Sequence, residues 1–420
     1  MKRYSTYKDS GVKWIGEIPS HWETRKIKYI FTERSEKGYP DEPVLCSTQK
    51  YGVIPQSMYA NRVVVVNKGL EGLKLVRKGD FVISLRSFQG GIEYAHYRGI
   101  ISAAYTILEL DHGIDADFIK YLLKSYYFVQ LLQTCVTGIR EGQNINYALL
   151  CKNFIALPSL SEQRAIVSFL DTELGKIDTY VDKEQQLIER LKELKQSVIA
   201  RAVTRGINPN VRMKPSGINW IGEIPEHWEV KRLSQVATEY FVSNKMVHHQ
   251  NLLSLSYGKI VRKNINSTEG LLPASFDNYQ VVDDGIIVLR LTDLQNDHKS
   301  LRVGLAHEEG IVTSAYLSIK PRENITSEYL YEQLHCNDLH KVFYGMGDGL
   351  RQSLNWQGLK NLPMAVPPLT EQRAIVDYIS SATSKIDKLI SEKTKEKEYM
   401  KELRQRIISD AVTGKIDVRS

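Results

Sequence analysis

Residues 160–167 read LSEQRAIV and residues 369–376 read LTEQRAIV, an interval of 369 − 160 = 209. A second duplicated stretch lies upstream of each. Residues 14–23 read WIGEIPSHWE and residues 220–229 read WIGEIPEHWE, an interval of 220 − 14 = 206. Lys-Ile-Asp recurs at 176–178 and 385–387, and Ala-Val-Thr at 202–204 and 411–413, both at 209. Near-constant intervals over separate segments mean that one unit of about half the chain is written twice.

Between these landmarks the copies diverge but can be followed. Residues 78–87 (KGDFVISLRS) resemble 283–292 (DDGIIVLRLT), placing Arg86 opposite Arg290 at an interval of 290 − 86 = 204. Residues 99–105 (GIISAAY) match 310–316 (GIVTSAY) at 310 − 99 = 211. The interval grows by 211 − 204 = 7 between these points, so one loop changes length while its flanks hold. Loops on a constant frame are where binding chemistry varies.

The divergent parts, 1–157 and 207–366, have an α+β pattern. Val63–Val66, Phe81–Leu85 and Ala104–Leu108 have the β-branched and aromatic content of strands, and Ala116–Leu132 the spacing of a helix. The second copy repeats this with Ile286–Leu289, Tyr316–Ile319 and a helix near Glu328–Val342. The repeated parts, 158–206 and 367–420, are long helices. Pro158 and Pro367-Pro368 precede them, and Ser161 and Thr370 are the expected N-caps. Leu170, Leu174, Ile177, Val181, Ile188, Leu191 and Val198 follow a 4-3 spacing, interrupted by Glu184 and Lys195. Ile379, Ile386, Ile390, Met400 and Ile407 continue it in the second copy, whose middle, 391–398, is highly charged. These are coiled-coil seams with polar breaks. Each stripe needs a partner, and the nearest is its own repeat. An antiparallel pair would relate the units by a pseudo-twofold axis and hold the divergent domains at opposite ends of a rod. The pattern also permits parallel packing or self-association.

Composition restricts the function classes. A net charge of +7 permits nucleic-acid binding without requiring it. The four cysteines form no CxxC pair, which fits a reducing cytoplasm and neither a zinc site nor a disulfide framework. No apolar run is long enough for a membrane span. No GxGxxG follows a strand, and neither GxxxxGK[ST] nor HExxH occurs. His248-His249 and His307-Glu308 lack a third ligand and read as surface residues.

The paired P-x-L-[ST]-EQRAIV and WIGEIP-x-HWE segments resemble type I restriction-modification specificity subunits, over nearly the whole chain. The resemblance implies two target-recognition domains, each followed by a conserved helix. It also implies double-stranded DNA, two methyltransferase subunits and restriction/translocase subunits as partners. S-adenosylmethionine, ATP and magnesium then belong to those partners, and this chain carries no cofactor, metal or catalytic residue. Two other readings use the same residues: a specificity subunit serving a fused nuclease-methyltransferase, or a duplicated coiled-coil adaptor with no DNA role.

Two regions per unit have base-reading chemistry, because Arg pairs bidentately with guanine and Gln or Asn with adenine. The first comprises Arg86, Ser87, Gln89 and Gly90, with Arg290, Thr292, Gln295 and Asn296 as its counterpart. The second comprises Arg140, Gln143 and Asn144, with Arg351 and Gln352 as its counterpart; the resemblance places this stretch near the DNA. Asn146 and Asn355 are expected to cap the segments that follow. The duplicated tryptophans Trp14, Trp22, Trp220 and Trp228 lie in the most constant segment, whereas two half-sites should differ. Packing against the long helices is therefore their expected role.

Overall fold

The computed structural model describes residues 2–59, 69–84, 91–137, 144–264, 275–297, 301–346 and 353–419. The chain divides into two compact units, residues 1–185 with 395–420, and residues 186–394. Both boundaries fall inside the long helices, Leu160–Arg205 and Leu369–Val412.

Each unit is built on the same antiparallel sheet of four strands. In the first unit the order is Phe31–Arg34, Thr106–Leu110, Phe81–Ile83, Ile92–Tyr94. In the second it is Ala237–Tyr240, Leu317–Pro321, Ile287–Leu289, Val303–Leu305. Successive side chains of a strand point to opposite faces, and here both faces are covered. Phe81 and Ile83 enter the main core while Val82 enters a second cluster with Leu45 and Val53. Ile287 and Leu289 divide from Val288 in the same way. That explains why these strands read as unbroken apolar runs.

The expected helix Ala116–Leu132 is two helices, Ala116–Lys124 and Tyr126–Thr134. Buried Ser125 stands between them in an extended conformation, and its hydroxyl accepts from the Phe128 N–H at 3.4 Å, starting a new helix. Its counterpart, Ser327–Leu339, is unbroken. The expected strand Val63–Val66 lies outside the described residues. The strands expected at Ala104–Leu108 and Tyr316–Ile319 begin one or two residues later, at Thr106 and Leu317.

The long helices also start earlier than expected. Ser159, not Ser161, caps the first, accepting from the Glu162 N–H at 3.4 Å. In the second, which begins at Leu369, the Pro368 carbonyl accepts from Glu371 at 2.9 Å. The hydroxyls at 161 and 370 are already inside the first turn.

Within each unit the start of one long helix runs antiparallel to the end of the other. Arg404 donates to Asp178 (3.1 Å), Lys397 to Gln185 (2.7 Å) and Tyr180 to Glu396 (2.9 Å) in the first unit. In the second unit Lys195 donates to Asp387 at 2.7 Å. Each repeated Lys-Ile-Asp thus supplies a buried isoleucine, Ile177 or Ile386, and an aspartate that pairs with the opposite helix. Of the remaining seam positions, Leu170, Leu174, Ile188, Ile379 and Ile407 are buried, and Val181, Leu191, Ile390 and Met400 partly so. Val198 is only partly covered, and the buried position in that turn is Ile199. The charged middle of the second helix, 391–398, offers little apolar surface to a partner. Glu396 and Lys397 instead reach Tyr180 and Gln185.

The two duplicated motifs meet on a tryptophan. Glu162 Oε1 accepts from Tyr4 Oη (2.7 Å) and Trp22 Nε1 (3.0 Å), and His21 Nε2 lies 2.9 Å from its Oε2. In the second unit Glu371 Oε2 takes Trp228 Nε1 (3.1 Å) and His227 Nε2 (2.7 Å). The neighbouring glutamines hold the domain helices. Gln163 accepts from the N–H of Asp115, which caps Ala116–Lys124, and Gln372 from that of Thr326, which caps Ser327–Leu339, both at 2.8 Å. Trp22 and Trp228 are fully buried against the long helices, as expected, whereas Trp14 packs edge-on to Phe128 of the short helix Tyr126–Thr134. Trp220 is different, with 40% of its surface exposed beside a cavity of about 890 Å³ at the end of the first long helix.

The other side of each tryptophan faces the end of the opposite long helix. Gly206 terminates the first helix with φ 73°, and a Cβ there would lie 3.3 Å from the Trp228 ring. Gly414 terminates the second with φ 75°, and a Cβ there would lie 2.4 Å from Pro19 Cδ and 3.3 Å from the Trp22 ring. Left-handed backbone disfavours any side chain, and Pro19 cannot yield. Gly414→Ala should therefore destabilise the protein by about 2 kcal/mol and Gly206→Ala by about 1 kcal/mol. Paired urea titrations of the two variants check the ranking; an equal or reversed order would contradict it.

Candidate nucleic-acid interface

Strand pairing revises the alignment of the first candidate loops. Leu289 pairs with Leu317 as Ile83 pairs with Thr106. The residue leaving the strand is therefore Arg290 in the second unit and Ser84 in the first. Arg86 lies two positions further into its loop than Arg290 does. Arg86, Ser87, Gln89 and Gly90 lie outside the described residues, as do Arg140, Gln143, Arg351 and Gln352.

Asn144 is described, in a short strand paired with Val136–Thr137. Asn146 follows and caps the next turn, accepting from Leu149 N at 3.3 Å, and Asn355 does the same for Gly358 N at 3.1 Å. Both asparagines have the capping role expected of them.

The second unit's first loop is described from Arg290 to Asp297 and brings Arg290, Thr292, Gln295 and Asn296 together. Leu291 and Leu294 are buried and pin it to the core. Gln295 and Asn296 are exposed at its tip, and Asn296 donates to Asp293 at 2.8 Å. Asp293 takes a positive φ of 57°, a conformation that aspartate tolerates better than most residues. The Arg290 guanidinium lies 3.6 Å from the Asp297 carboxylate. Thr292 is partly buried, and its carbonyl accepts from the Arg302 guanidinium at 2.8 Å.

Arg302 is fully buried just before the strand Val303–Leu305. Its guanidinium donates to the carbonyls of Arg290 (3.0 Å), Thr292 (2.8 Å), Asp293 (3.3 Å) and Asp297 (2.5 Å), and to Tyr344 Oη (3.0 Å). Its own N–H donates to Asp338 at 2.6 Å. Sequence reading missed it, because a lone arginine two residues after a histidine-lysine-serine run carries no local sign of burial. The residues flanking the second candidate segment both reach the same loop. Tyr344 Oη, upstream, donates to the Asp297 carbonyl at 3.1 Å, and Leu354 N, downstream, donates to the Leu291 carbonyl at 2.9 Å. The described residues on either side of the second candidate segment therefore both bond to the first candidate loop.

Two partly buried ionisable groups face Lys195 of the first long helix. On Ser327–Leu339, burial raises Glu332 to about 7, against the pull of Lys195. On the same helix, burial and Lys195 lower His335 to about 4. In the first unit burial raises Glu93 to about 6 although Lys124 pairs with it at 2.6 Å. Among the described residues, no three His, Cys, Asp or Glu side chains converge as a metal site. Nor, among them, is any helix long and apolar enough to cross a membrane.

A tandem α+β frame with a different loop on each copy is the architecture of a two-part recognition protein. Residues 19–192 match the family described as the type I restriction modification DNA specificity domain. Over nearly its whole length the chain is similar to type I restriction-modification specificity subunits. It is 26% identical to the putative type I restriction enzyme MjaX specificity subunit of Methanocaldococcus jannaschii, over 99% of this chain and 98% of that one. It is 25% identical, at the same coverage, to the MjaVIII specificity subunit of that organism. Among solved structures, a chain from work on assembly and conformational transition of the type I R-M system superposes with a TM-score of 0.67. That match is 15% identical and covers 95% of this chain and 99% of the other. The HsdS subunit of Thermoanaerobacter tengcongensis superposes at 0.53, also 15% identical, with 95% and 98% covered. These two share the fold.

Proposed function

We propose that this chain is the non-catalytic DNA-reading subunit that directs adenine methyltransferase and restriction subunits to an asymmetric two-part DNA target. The observation that carries this reading is the duplicated sheet with non-equivalent loops leaving the same strand. One frame presented twice with different loops suits two half-sites of different sequence. Loop side chains such as Gln295 and Asn296 would read base edges, while arginines and lysines around them would supply phosphate contacts. The proposed partners are double-stranded DNA, two methyltransferase subunits and restriction/translocase subunits. S-adenosylmethionine, ATP and magnesium belong to those partners in this reading. The four free thiols support a reducing, cytoplasmic setting.

The test is a long-read methylome of the source cell with and without the gene. Loss of adenine methylation at one gapped, asymmetric motif is expected. An unchanged methylome in a cell that carries such a motif methylated would refute the proposal.

A further inference from the structure

We propose that Arg302 is the positioning residue that sets the sequence selectivity of the second unit without touching DNA itself. This rests on the specificity reading above and names the residue that makes the second loop a fixed template. A loop samples many conformations unless its backbone groups are held, and base readout fails when donors and acceptors are displaced by an ångström. Arg302 holds four loop carbonyls and a phenol from inside the protein. A planar guanidinium with five donors in fixed directions can do this; the compact ammonium of lysine cannot.

Three observations support the assignment. First, Arg302 is wholly buried, so its charge has no contact of its own to make with a phosphate. Second, the Arg302–Tyr344 hydrogen bond, with the ring 5.1 Å below the guanidinium, ties the loop to the turn that leads into the second candidate segment. Third, the first unit has no arginine at the equivalent position. Val303 pairs with Leu289 as Ile92 pairs with Ile83, so the residue in the place of Arg302 in the first unit is Gly91. Loss of Arg302 must therefore act on one half-site only.

The experiment is selection from a random duplex-DNA library by the full-length chain, purified from its source cell with the subunits that co-purify. Wild type should enrich a motif with two half-sites. Arg302→Lys and Arg302→Met should lower the preference for the correct base at one half-site by about tenfold and leave the other unchanged. Tyr344→Phe removes the phenolic oxygen and keeps the ring; it should broaden the same half-site by about threefold. A merely structural role reduces the folded fraction, scales all sequences alike and leaves the motif intact. An intact motif in Arg302→Lys and Tyr344→Phe, or equal broadening of both half-sites, would overturn the proposal. Should Arg302→Met fail to fold, those two milder variants decide. A wild-type library with no enriched motif would overturn the specificity reading itself, and this proposal with it.

Discussion

Trp228→Ala should destabilise the second unit by about 4 kcal/mol, the range for removing a fully buried large aromatic. The ring does three things at once. It fills the core beside Ile224 and Leu233, closes over the last turn of the first long helix at Gly206, and donates to Glu371 at the start of the second. Truncation leaves a cavity and also a carboxylate with one donor fewer. Trp22→Ala should act comparably on the first unit, where Glu162 has Tyr4 as a further donor. A cycle of Trp228→Phe and Glu371→Ala isolates the hydrogen bond, with a coupling of about 1–2 kcal/mol. Urea unfolding followed by fluorescence and circular dichroism measures both. A loss under about 1 kcal/mol for Trp228→Ala would mean that the ring does not hold the two helix ends together.

Glu332→Gln should stabilise the protein in alkaline solution and hardly at all in acid. The folded-state value of about 7 lies above the ordinary carboxyl value of 4.5 because burial disfavours the charged form. A raised value means that the folded state holds the proton more tightly. Its contribution is complete below pH 4.5 and is lost as pH rises through about 7. The full shift is worth about 3 kcal/mol, so Glu332→Gln should gain up to that much near pH 8. His335 acts in the opposite direction. Its value is depressed from 6.5 to about 4, so the stability it contributes is present above pH 6.5 and is lost as pH falls through about 4. Both groups face Lys195, which opposes the first shift and reinforces the second. Denaturation midpoints of wild type and Glu332→Gln at pH 5 and pH 8 provide the check. A difference that does not change with pH would contradict it.

Much of the architecture was legible because repetition and periodicity are local properties of a chain. The intervals at 206 and 209 announced two units, and the 4-3 stripe announced two long helices needing partners. The asparagine caps and the burial of Trp22 and Trp228 followed from residue type and position. The candidate loop Arg290–Asp297 was found because polar residues follow an apolar strand. Sequence alone could not place its side chains. It aligned Arg290 with Arg86, whereas strand pairing puts Arg290 opposite Ser84.

What only the tertiary structure decided concerns contacts between residues far apart in the chain. The antiparallel order of the helices was one option among several in the sequence; the Asp178–Arg404 and Lys195–Asp387 pairs establish it within the units. The duplicated Glu-Gln and His-Trp dipeptides have no visible connection across some 140 residues until Glu162 meets Trp22 and Glu371 meets Trp228. Arg302 is the sharpest case. Its residue type suggests a surface cation, and the residues around it in sequence give no sign that their carbonyls turn toward it. Folding surrounds it with carbonyls from a loop and a phenol from a distant turn. A guanidinium becomes a structural centre only when such acceptors already converge, and convergence over that distance is a property of the folded chain.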